Sequence, residues 1–311
     1  MIHKLNIAPE VEAALTARRP IVALETTVIA HGLPYPQNAE VAARLEAIAR
    51  EQGAVPATIG IVDGVASIGL DADAVDRFAS DENVVKASVR DLGPVMAAGG
   101  CAATTVAATS VLASRAGIDV LATGGIGGVH RGGETSLDVS ADLATLSRTP
   151  IAVVCAGAKA ILDLGRTLEV LETLGVPVLG LGVDEFPAFY SRSSGLPLEH
   201  VVEDAGAAAR AIEAHRTLGL ESGVLVCNPA PEEYELASDV VAGWIEQAEG
   251  EAAAAGVSGK ALTPWLLARL AEISDGETVK TNVALLEDNV RVAALVAAAL
   301  RTGDSPRVEG F

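Results

Sequence analysis

One short segment of the chain collects residue types that act together on phosphorylated sugars. From Ala122 to Lys159 the sequence contains a loop with six glycines, two aspartates, Asp138 and Asp142, and a single lysine. A flexible glycine backbone can meet oxyanions, carboxylates can hold a divalent metal ion, and a lysine amine can form an imine. The segment therefore predicts an active site rather than a generic part of the core.

The lysine of this segment stands out because lysine is rare in the chain. There are five lysines against seventeen arginines, and Lys159 follows the apolar run IAVVC by a few small residues. A desolvated amine at such a position is nucleophilic at neutral pH. The alternative is a lysine whose stem packs against the protein while its charged end reaches water. The pattern alone leaves both interpretations open.

Glu25 ends another apolar run, PIVALE, and its carboxylate has two possible uses. It can cap the turn that follows, or it can act as a general acid at the end of a strand. The residue pattern favours neither interpretation over the other.

The stretch SLDVSADL places Asp138, Ser140 and Asp142 at alternate positions. Ser140 or Asp138 is expected to cap the start of a helix that runs through Ser147. An aspartate here can also bind a hard cation that keeps most of its waters, and both roles can hold at once. Because no Cys or His spacing suits zinc, the predicted ion is Mg²⁺ or Mn²⁺.

Thr104 and Thr105 open a helical pattern in ATTVAATSVLASRAG. Their hydroxyls and the nearby amides can accept a phosphate at the helix N-terminus, or they can serve as ordinary caps. Capping is the favoured interpretation on the sequence pattern alone.

Composition limits the class of partner. With 22 basic and 41 acidic residues the net charge is −19, which repels a nucleic-acid backbone, so no nucleic-acid partner is expected. A phosphate ester must then bind in a local cationic pocket. Cys101, Cys155 and Cys227 lie in apolar runs and are expected to be buried, reduced thiols. No signal-peptide core and no apolar stretch of about 20 residues is present, which predicts a cytoplasmic protein with no membrane partner.

Apolar runs alternate with amphipathic helical patterns along most of the chain. The alternation predicts an α/β fold, a three-layer α/β/α arrangement with a largely parallel central sheet, and a helical C-terminal part from Pro231 onward, all in a single domain spanning 1–311. In such sheets ligands bind beyond the carboxyl ends of the strands, where Glu25, Lys86, the glycine loop and Lys159 are expected to converge. The predicted strands are Pro20 to Glu25, Ala57 to Val62, Val84 to Val89, Ile118 to Ala122, Ile151 to Cys155, Val176 to Leu181 and Gly223 to Cys227.

Several long blocks of the sequence carry a family resemblance. ALETTVIAHGLPYPQN, ATTVAAT, ATGGIGGVHRG, SLDVSADL, VVCAGAKAILDLGRTLEVLETLGVPV, FPAFYSR, NPAPEEY and GKALTPWLLARL resemble the pseudouridine-5′-phosphate glycosidases, which are also known from the indigoidine-A proteins. The resemblance runs from about Pro20 to Leu300. It implies reversible cleavage of the C–C glycosidic bond of pseudouridine 5′-phosphate to uracil and ribose 5-phosphate, a divalent cation, usually Mn²⁺, and a homotrimer.

The same resemblance implies roles for individual residues. Lys159 of CAGAK would form the imine with the anomeric carbon of the sugar, Glu25 of ALETT would donate the proton, and Asp138 would bind the metal. The remaining residues implied or expected to contact the substrate are Lys86, Thr105, Val106, His130, Ser140, Ala141, Asp142 and Asn282.

Two other classes of function share parts of this pattern. A Schiff-base aldolase or isomerase acting on a pentose phosphate would need the same lysine but no pocket for uracil. A non-catalytic nucleotide-binding homologue would keep the fold without turnover, although Glu25, Asp138 and Lys159 are all present.

Overall fold

A computed structural model of the protein describes residues 5–81, 83–257, 259 and 262–302. Its centre is a mostly parallel sheet with helices on both faces, which confirms the predicted fold class. The strands are β1 (Asn6–Ile7), β2 (Ile21–Leu24), β3 (Val55–Val62), β4 (Val65–Ile68), β5 (Val85–Ala87), β6 (Ala102–Thr104), β7 (Val120–Ala122), β8 (Val129–His130), β9 (Ala152–Cys155), β10 (Leu162–Asp163), β11 (Val178–Leu181), β12 (His200–Val202) and β13 (Val224–Cys227).

The main sheet has the strand order β1-β4-β3-β2-β7-β9-β13-β11-β12. Neighbours from β3 through β2, β7, β9, β13 and β11 to β12 run parallel, and β4 and β6 pair antiparallel with β3. The central strands are buried along their whole length, so they read as continuous aliphatic runs rather than as alternating ones. The continuous aliphatic runs are the reason that the sequence predicts these strands.

The helices cover both faces of the sheet. The long C-terminal helix (Glu277–Thr302) packs across β2, β7 and β9, and the helices Gln37–Glu51 and Ala205–Thr217 pack against it. The helix Val106–Ala116, which follows β6, packs near β2 and β3. The helices are α1 (Pro9–Thr16), α2 (Thr27–His31), α3 (Gln37–Glu51), α4 (Ala72–Ser80), α5 (Val89–Ala97), α6 (Val106–Ala116), α7 (Gly133–Ser136), α8 (Ala141–Leu146), α9 (Leu164–Thr173), α10 (Ala205–Thr217), α11 (Ser238–Ala254), α12 (Leu262–Ile273) and α13 (Glu277–Thr302). Among the helices of the described residues, none combines the length and the apolar character that a membrane span requires.

Two expectations from the sequence need correction. The strand predicted over Val84 to Val89 ends at Ala87, because Ser88 and Asp91 form a capping box that starts α5. Cys155 and Cys227 are fully buried as expected, but Cys101 is only partly buried and its thiol contacts the Asp63 carboxylate at 3.4 Å.

Buried asparagines connect α13 to the strand ends that carry the site. Asn289 is fully buried, and its amide donates to the backbone carbonyl of Thr123 at 2.8 Å, directly after β7. Asn228, directly after β13, donates to the side-chain oxygen of Asn289 at 3.1 Å. Since buried polar groups need partners, this network fixes the carboxyl edge of the sheet against the C-terminal helix.

Candidate active site

The residues predicted to act together do line one crevice at the carboxyl edge of the sheet. Its larger part, called the large chamber here, has a volume of about 740 Å³. Ten predicted site residues line it, namely Glu25, Lys86, Thr105, Val106, His130, Asp138, Ser140, Ala141, Asp142 and Lys159. The eleventh, Asn282, lines an adjoining small chamber, which shares Glu25, Lys86 and Lys159 with the large one.

Glu25 is held by two hydroxyl groups that the sequence analysis did not single out. The carboxylate follows β2 directly and is 6% exposed. Thr27 donates to one of its oxygens and Thr123 donates to the other. The two threonines lie within the motifs ALETT and ATGGIGG, but nothing in a single sequence shows that they meet. The contacts fix the carboxyl group at the boundary between the two chambers.

The backbone around Glu25 is fixed by a second set of threonines below it. The Thr26 hydroxyl donates to the Ile59 carbonyl at 2.8 Å and accepts from the Thr104 amide at 2.8 Å. The Thr104 hydroxyl donates to the same carbonyl at 2.7 Å. Thr104 is therefore buried and hydrogen-bonded within the core, whereas Thr105 lines the large chamber.

Lys159 lies on the loop after β9, which runs beside the glycine loop. The Lys159 amide donates to the Ile126 carbonyl at 3.1 Å, and the Ile126 amide donates to the Gly157 carbonyl at 3.0 Å. These bonds extend the pairing of β7 with β9 past the ends of both strands. The lysine side chain is half-buried and borders both chambers, as Glu25 does.

The glycine loop is closely packed rather than flexible, contrary to the sequence expectation. A Cβ at Gly125 would lie 2.7 Å from the Phe189 ring, and one at Gly128 would clash with the Thr167 side chain. The sequence predicts that the backbone of this loop meets oxyanions, and the Gly127 amide donates at 2.8 Å to the carboxylate of Asp142. The absence of a side chain at these glycines therefore lets the loop pack closely against its neighbours.

Asp142 joins two elements of the site. It is 5% exposed, and its second carboxylate oxygen accepts from the Ala107 amide at 2.8 Å, in the first turn of α6. Thr105 caps the same helix by accepting from Ala108 at 3.4 Å. The capping interpretation of Thr105 is thus confirmed. Ser140 caps α8, also as predicted.

Asp138 lies at the side of the large chamber beside His130. The backbone carbonyl of Asp138 accepts from the His130 amide at 3.0 Å. Burial lowers the pKa of the His130 imidazole; the negative charge of Asp138 opposes this shift, while the charges of Lys159 and Lys86 add to it. Among the described residues, none donates a hydrogen bond to the Asp138 carboxylate, and no three His, Cys, Asp or Glu residues cluster as a ligand set. A single accessible carboxylate fits a hydrated cation rather than a cage of protein ligands.

The two chambers differ in chemical character. The large chamber is lined by four cationic side chains, Lys86, Arg90, Arg148 and Lys159, and by four carboxylates, Glu25, Asp91, Asp138 and Asp142. The small chamber has a volume of about 50 Å³ and combines apolar side chains, among them Val28, Phe189, Pro264, Leu267 and Leu286, with polar ones, among them His31 and Asn282. The cationic side chains of the large chamber can bind a phosphate ester.

His31 is a polar residue of the small chamber that the sequence analysis passed over. It ends α2, and its ring nitrogen Nε2 is buried with no hydrogen-bond partner among the described residues. Burial lowers the pKa of the His31 imidazole, the charge of Lys86 lowers it further, and a hydrogen bond with the backbone of Val84 opposes the shift only in part.

Comparison with known proteins assigns the chain to a family. A family model described as indigoidine synthase A like protein matches residues 10–299, nearly the whole chain. The chain belongs to the indigoidine synthase A-like family. Among similar members named pseudouridine-5′-phosphate glycosidase, that of Roseiflexus sp. is 57% identical over 95% of this chain and 96% of its own length. That of Caldanaerobacter subterraneus is 52% identical over 95% and 96%.

Two solved structures share the fold. A crystal structure of the prealnumycin C-glycosynthase AlnA in complex with ribulose 5-phosphate superposes with a TM-score of 0.89 at 42% identity, covering 96% of this chain and 97% of that one. The indigoidine synthase A-like protein of Thermotoga maritima superposes with a TM-score of 0.88 at 38% identity, covering 97% and 98%.

The two aspartates of SLDVSADL are predicted to respond differently to loss of charge. Asp142→Asn replaces one acceptor oxygen with a donor that faces a backbone N–H, so we expect the free energy of unfolding to fall by about 1–3 kcal/mol. Asp138→Asn removes no hydrogen bond within the described residues and should change stability by less than about 0.5 kcal/mol. Urea unfolding followed by circular dichroism compares the two variants. Equal midpoints for both would contradict the structural role of Asp142.

Proposed function

We propose that this chain cleaves the C–C glycosidic bond of pseudouridine 5′-phosphate reversibly, giving uracil and ribose 5-phosphate. The observation that carries the proposal is the position of Lys159 and Glu25 together where the large chamber meets the small one, which adjoins an apolar side pocket. A nucleotide whose sugar phosphate occupies the large chamber and whose base points through the small chamber toward the side pocket has its glycosidic bond at this boundary. The names of the relatives support the same reaction.

The small chamber argues against an enzyme that acts on a free pentose phosphate. An aldolase or isomerase of that kind needs a lysine and an acid, but it has no use for an apolar wall with Asn282 beyond the reacting groups. An apolar side pocket of about 490 Å³ continues from this wall and shares His31, Pro264, Leu267 and Asn282 with it. The side pocket is therefore large enough for a base.

The reaction needs an amine because a carbon-linked base has no heteroatom at the bond to be broken. In the proposed sequence, the Lys159 Nζ bonds to C1′ of the sugar while the C1′–O4′ bond opens and the ring oxygen takes up a proton. The C1′–C5 bond then breaks as C5 of the base receives a proton from Glu25 and the nitrogen lone pair forms the imine. Water adds to the imine carbon, releases ribose 5-phosphate and restores the amine.

A divalent cation, Mn²⁺ or Mg²⁺, is proposed to bind at Asp138. Support comes from the accessible carboxylate, which receives no hydrogen bond from the described residues, and from the width of the large chamber, which leaves room for bound water. When bound, such an ion supplies positive charge for the oxygens of the sugar phosphate. Ser140, Ala141 and Lys86 line the same chamber and would complete the contacts to that group.

Two further properties come from the family resemblance and stay predictions. We propose that the protein is a homotrimer and that it acts in the cytoplasm. Sedimentation equilibrium at micromolar concentration measures the first directly, since a trimer has three times the chain mass of 31.6 kDa. A monomeric mass across the concentration range would contradict the trimer.

Covalent trapping is the sharpest test of the proposed reaction. Incubation with ribose 5-phosphate and borohydride should reduce the imine and attach one pentose phosphate to Lys159, as measured by peptide mass spectrometry. Lys159→Ala should give no adduct, whereas Lys280→Ala, which removes an exposed lysine paired with Glu277, should label normally. In parallel, pseudouridine 5′-phosphate should yield uracil and ribose 5-phosphate in equal amounts. Labelling at another lysine, or products other than these two, would overturn the mechanism.

Replacement of Glu25 should separate proton transfer from imine formation. Glu25→Gln keeps the shape and most hydrogen bonding but removes the acid, so we expect turnover to fall about 10²- to 10⁴-fold while ribose 5-phosphate is still trapped on Lys159. Thr123→Val should lower turnover about 10-fold or more, because a donor to one carboxylate oxygen is lost. Thr58→Val is the matched control, since the Thr58 hydroxyl donates to Glu46 outside the site. Near-normal turnover of Glu25→Gln would assign the proton to another group.

Removal of the divalent cation should abolish turnover, and the effect should depend on Asp138. Because one carboxylate and waters hold a hard cation weakly, chelation is expected to abolish turnover within minutes and added Mn²⁺ to restore it. Asp138→Asn should lose the response to Mn²⁺ and bind less of the ion in equilibrium dialysis. Asp73→Asn, on an exposed turn of α4, should behave like the unmodified protein. Full turnover in thoroughly chelated protein would contradict the metal proposal.

A further inference from the structure

A small set of residues lines both chambers at the boundary where the glycosidic bond is proposed to lie. Within the described residues the set has five members, Glu25, Thr27, Lys86, Lys159 and Thr263. Glu25 and Lys159 are the proposed reacting groups, Thr27 donates to Glu25, and Lys86 is proposed to contact the sugar phosphate. The mechanism above gives Thr263 no role.

Thr263 occupies an unusual position for a polar residue. It lies in the first turn of α12, one residue after the helix begins. Together with Leu266, Leu267 and Leu270 it forms a stripe at positions i, i+3, i+4 and i+7 on one face of the helix, in which Leu266 and Leu270 are buried. Such a stripe normally contains apolar side chains. A hydroxyl at the end of the stripe that borders both chambers indicates a contact that an apolar side chain could not make.

The Thr263 hydroxyl is available to a bound molecule. Thr263 is half-buried, and its hydroxyl makes no hydrogen bond within the part of the chain that the structure describes. Thr27, the other threonine at the boundary, is already held by Glu25. Because Thr263 also lines the large chamber, with its volume of about 740 Å³, a group bound there can reach it. Thr263 is therefore an uncharged donor beside the reacting groups.

The proposed reaction requires one more donor at this boundary. Lys159 bonds to C1′ and Glu25 protonates the base, but the C1′–O4′ bond also opens, and its electron pair moves onto O4′. A donor placed where negative charge develops stabilises the transition state. A threonine hydroxyl is too weak an acid to give up its proton. It can therefore stabilise O4′ by a hydrogen bond while the proton that O4′ takes up comes from another source.

We propose that Thr263 is a further catalytic residue, whose hydroxyl donates a hydrogen bond to the ring oxygen O4′ of the ribose as the ring opens. This inference rests on the proposed function. Lys86 is less suited to this role, because the residues that follow it, 88–91, line the large chamber and not the small one. Pro264 and Leu267, which follow Thr263, line the small chamber and not the large one. Thr263 thus lies on the side of the boundary toward C1′, the carbon that carries both O4′ and the base.

The test compares a sugar phosphate that must open a ring with one that has no ring. Ribose 5-phosphate is mostly a closed furanose, whereas 4-deoxyribose 5-phosphate stays an open-chain aldehyde, because it lacks the 4-hydroxyl and its O5 is phosphorylated. The rate of trapping on Lys159 is measured at saturating sugar phosphate with cyanoborohydride and peptide mass spectrometry. In Thr263→Val this rate should fall about 10- to 100-fold for ribose 5-phosphate and stay within about 2-fold of normal for the 4-deoxy sugar.

Two variants serve as controls for this comparison. Thr263→Ser keeps the hydroxyl and should recover most of the rate with ribose 5-phosphate. Thr217→Val removes an exposed hydroxyl at the end of α10, which donates to the Glu213 carbonyl at 2.9 Å, and should trap both sugars normally.

Steady-state cleavage of pseudouridine 5′-phosphate gives a second readout. Because the hydrogen bond strengthens as O4′ gains charge, Thr263→Val should lower kcat and kcat/KM by the same factor and leave KM unchanged. Normal trapping of ribose 5-phosphate overturns the proposal, and so does equal slowing with both sugars, which would assign Thr263 to packing or to another hydroxyl of the sugar. A rise in KM at constant kcat also overturns it. Absence of any adduct on Lys159 of the unmodified protein would instead overturn the proposed function.

Discussion

The arrangement of the site depends on one buried carboxylate. Asp142 accepts hydrogen bonds from the first turn of α6 and from the glycine loop, so a single side chain fixes the distance between two elements that come from different strands. Charge-assisted bonds of this kind are among the stronger ones in proteins, and the low dielectric of a buried position strengthens them. The glycine loop in turn holds the backbone of Lys159. Asp142, which is expected to contact the substrate, therefore also helps to position the backbone of Lys159.

The strands, Glu25, Lys159 and two helix caps could be predicted from the sequence, because each depends on residues that are close together in the chain. The strands are buried on both sides and appear as aliphatic runs, and Glu25 and Lys159 stand out because charged residues rarely end such runs. The Ser140 and Thr105 caps also follow from neighbouring residues. By contrast, the pairing of Thr123 with Glu25 spans 98 positions and depends on the order of the strands, which no local pattern reveals.

Two features of the site depend on contacts between distant elements. The sequence predicts a loop whose glycines are free to move, whereas the Phe189 and Thr167 side chains pack against them in the folded chain. A lone histidine at the end of a short helix carries no signal in the sequence. Only the folded chain shows that the Nε2 atom of His31 is buried without a hydrogen-bond partner among the described residues, next to a chamber lined by seven separate segments.

Part of the wall of the small chamber comes from a different part of the architecture than the reacting groups. Glu25 and Lys159 are attached to loops at strand ends, whereas Pro264, Leu267 and Asn282 belong to the C-terminal helices α12 and α13. The surface around the reacting groups is thus assembled from stretches of the polypeptide that lie far apart in sequence. Side chains of the C-terminal helices can therefore change the shape of this chamber while the strand ends that carry Glu25 and Lys159 stay the same.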